Sequence, residues 1–328
     1  MSISIKNIRS ATPTEWDYIW QQCDYSTYFH SREWAEIWNI YTKGKMRPDP
    51  KLVIFTDGKK ALLPLSYQRN LKGLAKNYIS SPAGTFGGWI SADDISVGHA
   101  VLMSKFLTKK LGNLVWRINP YDELVFKSGV QASEDDETQA LNLESGFDAI
   151  SEEWTRRPHG IAHKARKACR TGVSVKLAST LEEWRLYYHV YEDSLLRWGN
   201  KATSRYDWGI FHDMFERHSR NIKLWLAIYE DEVVVAGAIT FYAKKHVVSW
   251  HGATLEEYFN LRPVNLLMYE VIKNACKQRY TWFDFNPSGG HEGVKAFKKS
   301  FGAKGKPSPV VHVETKSKRI IKKISSLI

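Results

Sequence analysis

One order of elements is written twice in this chain, and a duplicated plan restricts the fold more than any single motif does. In the first copy, residues 31–41 have aromatic-rich helical spacing. Two apolar runs follow, 52–55 and 61–65, joined at Asp57-Gly58, a hairpin signal. A helix is predicted next over about 95–111, then a strand over 114–119. The second copy has an amphipathic segment at 208–218, then runs at 224–229 and 233–242 joined by Glu230-Asp231-Glu232, with a third run at 247–250. Its helix is predicted over 263–277 with Pro263 at the first position, and its strand ends Phe283-Asp284-Phe285-Asn286-Pro287. Corresponding points lie roughly 170 residues apart, far beyond the 20–50 residue period of a solenoid, so the pattern reads as domain duplication. Because each copy mixes antiparallel hairpins with helices, the fold class is α/β of the α+β kind. The predicted domains are 1–147 and 148–312, parted near residues 128–150, where 128–139 is polar and acidic without apolar periodicity, with a basic amphipathic tail over 313–328.

A length of 328 residues agrees with two domains. The charge is less ordinary: 47 Lys and Arg against 35 Asp and Glu give +12, which favours a polyanionic partner such as nucleic acid, an anionic membrane surface or a phosphorylated ligand. Cys23, Cys169 and Cys276 are far apart and form no C-x-x-C pair, which argues against a disulfide framework or a zinc knuckle and fits a reducing cytoplasm. Residues 1–10 lack the apolar run of a signal peptide, and no segment approaches 18 uninterrupted apolar residues.

Candidate chemistry gathers near the C-terminus. If 293–302 is a helix stopped by Gly302, then Val294, Phe297, Lys298 and Phe301 share one face, and a lysine lies on an apolar stripe. Lys298 must either snorkel to solvent or deliver a cation to a partly buried group. Lys295 and Lys299 fall away from that stripe. On the preceding strand, alternation places Trp282, Asp284 and Asn286 on one side and Phe283 and Phe285 on the other. Asp284 either orients an amine or caps nearby backbone. Trp250, His251 and Tyr269 are expected to line the same cleft, with Phe297 beside them, or else to be packing. Arg156, Arg157, Lys164, Arg166, Lys167 and Arg170 form either a solvated face or a phosphate-binding patch. A metal site is not expected, because Pro158 and Gly160 interrupt the His159–His163 spacing.

The ordered set of Lys167-Ala168-Cys169-Arg170-Thr171-Gly172-Val173, the 227–238 hairpin, Pro263-Val264-Asn265-Leu266-Leu267, the Phe-Asp strand and Phe297-Lys298-x-x-Phe301-Gly302 resembles the Fem-type aminoacyltransferases. In the first half, Phe29-His30-Ser31-x-x-Trp34 and Leu62-Leu63-Pro64-Leu65 join the resemblance. It implies two tandem GNAT-like domains and transfer of an acyl or aminoacyl group to a primary amine on a cell-envelope precursor or amino sugar. Aminoacyl-tRNA or acyl-coenzyme A would serve as co-substrate, with no tightly bound cofactor. Lys298 and Asp284 are the expected catalytic residues, with Trp250, His251, Tyr269, Asn286 and Phe297 around the substrate. Arg157, Lys164, Arg166, Lys167 and Arg170 would hold donor phosphates or tRNA. The long helical insertion of some Fem-type proteins is missing, and so is a [QR]-x-x-G-x-[GA] loop between Gly252 and Pro263. The tail, residues 316–328, is expected either to rest on the inner face of an anionic membrane or to dock on its own domain. The alternative to an enzyme is a basic nucleic-acid or membrane-surface binding protein on an inactive acyltransferase scaffold.

Overall fold

The computed structural model describes residues 3–69, 76–202 and 204–315. The expected membrane-contacting tail at 316–328 lies outside the described residues. The described chain divides into two compact units, one of residues 3–137 with 307–315 and one of Thr138–Lys306.

The first unit runs β1 (Ile5–Ser10), α1 (Pro13–Gln22), α2 (Arg32–Tyr41), β2 (Met46–Pro48), β3 (Lys51–Phe55), β4 (Lys60–Leu63), β5 (Ser66–Arg69), β6 (Lys76–Ile79), α3 (Val97–Lys109), β7 (Asn113–Arg117) and α4 (Glu123–Lys127). Thr12 and Glu15 form a capping box at the start of α1, and Ser31 caps α2 through the Trp34 amide, so both helices begin where orphan N–H groups find side-chain oxygens. The β3–β4 hairpin turns through Gly58 at φ +88°, a conformation that glycine adopts without strain. One sheet has the order β1-β3-β4, and β2, β5, β6 and β7 lie in a second. Val53, Phe55, Leu63, Trp89, Met103, Leu107 and Trp116 are buried together as the core.

The second unit continues with β8 (Glu137–Asn142), α5 (Gly146–Arg156), α6 (Ile161–Arg170), β9 (Val173–Leu177), α7 (Leu181–Trp198), α8 (Trp208–Glu216), β10 (Ile222–Tyr229), β11 (Val233–Ala243), β12 (His246–Thr254), α9 (Pro263–Lys277), β13 (Trp282–Pro287), α10 (Glu292–Ser300) and β14 (Lys304–Pro307). After β14, strand β15 (Val310–Val313) pairs antiparallel with β7 of the first unit's sheet. The seven-stranded sheet has the order β14-β8-β13-β12-β11-β10-β9. Its ladders are antiparallel from β9 to β12 and between β13 and β8, while β12 and β13 run parallel. Buried residues of α5, α6 and α9 pack on Trp225, Ala236, Val247, Phe283 and Phe285 from one face. Helices α7 and α8 contact the other through Tyr187, Tyr191 and Phe211.

Both copies of the predicted plan are present, and α9 begins and ends where the sequence places it. The dividing point differs from the expected 147/148. Residues 138–142 hydrogen-bond to β13, because Ala140 and Leu141 supply an apolar pair that the polar surroundings of the segment conceal. The helix near the C-terminus is α10, and Gly302 follows it at φ +88° as expected. Its apolar stripe is shorter than expected: Phe301 and Lys298 are buried, but Val294 is 43% exposed.

Candidate active site

The parallel pair β12–β13 is joined at three positions, His246 with Trp282, Val247 with Phe283 and Val248 with Asp284. Beyond these, no ladder pair links the two strands among the described residues. Two local irregularities accompany the parting. On β12 the register against β11 shifts between Thr240–Ser249 and Ile239–His251, which makes Trp250 the extra residue of a bulge. On β13 Asn286 takes φ +64°, a left-handed conformation that asparagine tolerates better than most residues. The strands therefore open a wedge between 249–254 and 285–287, past the last ladder pair Val248–Asp284.

The β13 wall is tied down by its own side chains. Asp284 is fully buried, and its Oδ1 accepts from the Thr138 hydroxyl at 2.5 Å and from the Asn286 amide at 2.7 Å. That carboxylate therefore holds the turn at Asn286. Lys298 is 6% exposed, and its Nζ donates to the Asn286 carbonyl at 2.6 Å and the Pro287 carbonyl at 3.1 Å. The ammonium neither snorkels nor stands over the wedge; it clamps the backbone that forms one wall. Asn286 Oδ1 is buried and has no hydrogen-bond partner among the described residues.

The β12 wall is aromatic. Trp250 lies between Tyr206 and Phe241, with ring centroids 5.3 and 5.6 Å away. The half-buried His251 imidazole meets Tyr191 at 4.5 Å, Phe211 at 5.3 Å and Tyr187 at 5.8 Å, all edge-on. Burial among these rings lowers its pKa to about 3, so it is neutral at physiological pH. Its Nδ1 lies 2.6 Å from the Tyr187 hydroxyl, and Nε2 has no partner among the described residues. Tyr187 is fully buried, and burial raises its pKa well above 10, so it too is neutral. His251 is its one hydrogen-bond partner among the described residues. If Nδ1 carried the proton, the Tyr187 O–H would be a buried donor without an acceptor, at a cost of about 1–3 kcal/mol.

The remaining expected site residues lie elsewhere. Tyr269 packs against Phe147 at 5.2 Å and Trp154 at 5.5 Å in the core of the α5–α6–α9 face. Phe297 packs on Phe301 at 5.1 Å in the same core. On the basic segment, Arg157 pairs with Glu153 at 2.9 Å and Arg156 with Glu152 at 2.7 Å. Helix α6 buries Ile161, Ala162, Ala165 and Ala168, leaving Arg166, Lys167 and Arg170 exposed with no carboxylate partner among the described residues. Lys164 is half-buried. Between β12 and α9 a short 3-10 helix, Glu256–Leu261, carries two glutamates in its first turn, which disfavours an anion there. In the first unit, Lys43, Lys45, Arg47 and Arg69 surround a hollow of about 410 Å³ with Tyr67 and Gln68. Among the described residues no three metal-ligating side chains cluster. The sequence reading missed Tyr187, Tyr191 and Tyr206. A signal for α7 was present: the capping box Thr180-x-x-Glu183 opens it, and Trp184, Tyr187 and Tyr191 follow at helical spacing.

The second unit's sheet thus holds one half-open parallel pair, with helices on both faces. Residues 155–299 match the family described as Acetyltransferase (GNAT) domain. Across the whole chain, the crystal structure of FemX is similar with a TM-score of 0.70 at 12% identity, covering 98% of this chain and 99% of that one. A putative lysylphosphatidylglycerol synthetase C-terminal domain from Agrobacterium fabrum has a TM-score of 0.56 at 11% identity, covering 85% and 88%. L-PGS from Bacillus licheniformis has a TM-score of 0.53 at 12% identity, covering 86% and 87%. No curated protein matches the chain at a significant level. The second unit thus carries a GNAT acetyltransferase domain over residues 155–299, and the chain along its length shares its fold with FemX. No helix among the described residues is long and apolar enough to cross a membrane.

Proposed function

We propose that the protein transfers an aminoacyl group from aminoacyl-tRNA to a primary amine on a cell-envelope precursor. The observation that carries the amine is Asn286 on the β13 wall, whose buried Oδ1 has no hydrogen-bond partner among the described residues and is read as the acceptor for an incoming N–H. Aminolysis requires the amine to be held with its lone pair toward the acyl carbon, and one accepted N–H fixes that direction. The donor reading rests on charge. Three exposed cations on α6 suit a polyanion, whereas the segment before α9 offers glutamates where coenzyme A pyrophosphate would need N–H donors. One structural neighbour is the C-terminal domain of a putative lysylphosphatidylglycerol synthetase, a name that favours an aminoacyl donor over an acetyl one.

The test supplies the purified chain with labelled aminoacyl-tRNA or labelled acyl-coenzyme A and a panel of nucleotide- and lipid-linked amine acceptors. Label should pass from the tRNA, weaken as salt rises, and be lost in Arg166→Glu with Lys167→Glu. Transfer from acyl-coenzyme A that ignores both charge reversals would overturn the donor assignment. Acyl-coenzyme A would then be the donor for surface-polysaccharide amines.

A further inference from the structure

The contact between Tyr187 and His251 has a direction. The Tyr187 hydroxyl is fully buried and carries one proton, and His251 Nδ1 at 2.6 Å is its one partner among the described residues. The arrangement that satisfies it has the phenol donating and Nδ1 accepting. A neutral imidazole that accepts at Nδ1 carries its proton on Nε2. A second, independent feature serves the same contact. Gly237 sits in the middle of β11, where glycine weakens a strand, and a Cβ there would overlap the ring of Tyr187. The strand thus lacks a side chain at the place where the tyrosine ring lies. His251 is three residues past the last β12–β13 pair, on the stretch that lines the wedge.

We infer that Tyr187 fixes the tautomer of His251, so that the imidazole presents Nε2–H to the acyl carbonyl and stabilises the oxyanion instead of taking a proton from the amine. The inference rests on the acyl-transfer reading above. In the step, the amine nitrogen attacks the carbonyl carbon, a C–N bond forms, and the C=O π pair moves to oxygen, where the Nε2–H donates to it. Collapse restores the C=O and expels the donor's oxygen, or its sulfur in a thioester. The proton lost by the amine ends on that leaving atom. His251 neither gains nor loses a proton, which agrees with its neutral, aromatic surroundings. Tyr187 is a positioning residue, and His251 is the group that touches the reacting atoms.

The tautomer is read directly in the full chain by two-bond nitrogen–proton correlation NMR of the histidine rings, the His251 signals being assigned by their loss in His251→Gln. The expected pattern is a proton on Nε2 in the parent and a mixture of tautomers in Tyr187→Phe. In turnover, His251→Ala should lose on the order of a hundredfold in kcat, as removal of one oxyanion donor does. His251→Gln, whose amide N–H₂ reaches the Nε2 position, should recover most of that loss, and His251→Asn should not. A proton on Nδ1, or rescue by Asn as good as by Gln, overturns the inference. The spectrum needs no substrate, so a wrong tautomer sinks this inference whatever the donor is. An Nε2 tautomer in a chain that transfers nothing sinks the reading of the reaction instead.

Discussion

Lys298 shows how far one residue can be read from sequence. Its place on an apolar face marks it as unusual, and its burial agrees with that. What it touches could not be read, because its partners are the Asn286 and Pro287 carbonyls, and a carbonyl leaves no trace in the amino-acid letters. The structure changes what removal of the charge should do. A lysine that merely snorkelled would be replaced by methionine at little cost; with two carbonyls losing a charged donor, Lys298→Met should instead lose about 1–3 kcal/mol of stability in urea denaturation. Lys299→Met, on the exposed side of α10, should stay within about 0.5 kcal/mol of the parent. Asn286→Gly separates backbone from side chain at the other end of the clamp. Glycine keeps the φ of +64° without strain, so the fold should hold while the acceptor's KM rises roughly tenfold for one lost hydrogen bond. An unchanged KM would remove Asn286 from the amine site. If Lys298 acts through Asn286, the double variant should cost less in kcat/KM than the two single effects added together.

At the scale of elements, the hairpins, α9 and α10 were legible because turn chemistry and helical spacing are local signals. Strand β8 was not, since its pairing with β13 spans more than a hundred residues of chain and its flanks are polar. Helix α7 was overlooked although its capping box and aromatic spacing were in plain sight, and the cage around His251 was lost with it. Trp250 and His251 lie on β12 as expected, but nothing in the sequence announced the bulge that takes Trp250 out of the β11 register. Strand β11 and helix α7 meet closely at Gly237, where a Cβ would overlap the Tyr187 ring. Gly237→Ala must displace the Tyr187 ring or bend the strand, so it should destabilise the second unit by about 1–3 kcal/mol. Activity should also fall in Gly237→Ala at temperatures well below its melting point, because the His251 hydrogen bond moves with the ring. Wild-type turnover in a less stable Gly237→Ala would show that α7 relaxes without disturbing the site.

For the whole molecule, duplication was the most legible property, yet the two copies differ in how they carry protons, and that difference is testable. In the second unit, His251 is held neutral with a pKa of about 3, against about 6.5 when unfolded. The unfolded chain therefore binds a proton that the folded unit refuses between those values, and stability falls as pH drops through that window by about 1.4 kcal/mol per pH unit. The first unit holds an opposing pair. Burial lowers His30 to about 4, which removes stability as pH falls below about 6.5, while burial raises Asp122 to about 7. An aspartate that binds its proton when folded and releases it when unfolded adds stability as pH falls from about 7 toward the unfolded value near 3.9. The two effects run against each other between about pH 4.5 and 6.5 and nearly cancel. Peptide-level hydrogen exchange, corrected for intrinsic rates, should therefore show the second unit weakening by roughly 2 kcal/mol from pH 6.5 to 5, with the first almost unchanged. Asp122→Asn keeps a capping side chain at α4 but removes the compensating proton, so the first unit should then weaken with acid as steeply as the second. Equal acid sensitivity of both units in the parent, or no added slope in Asp122→Asn, would mean that these buried groups do not govern the response.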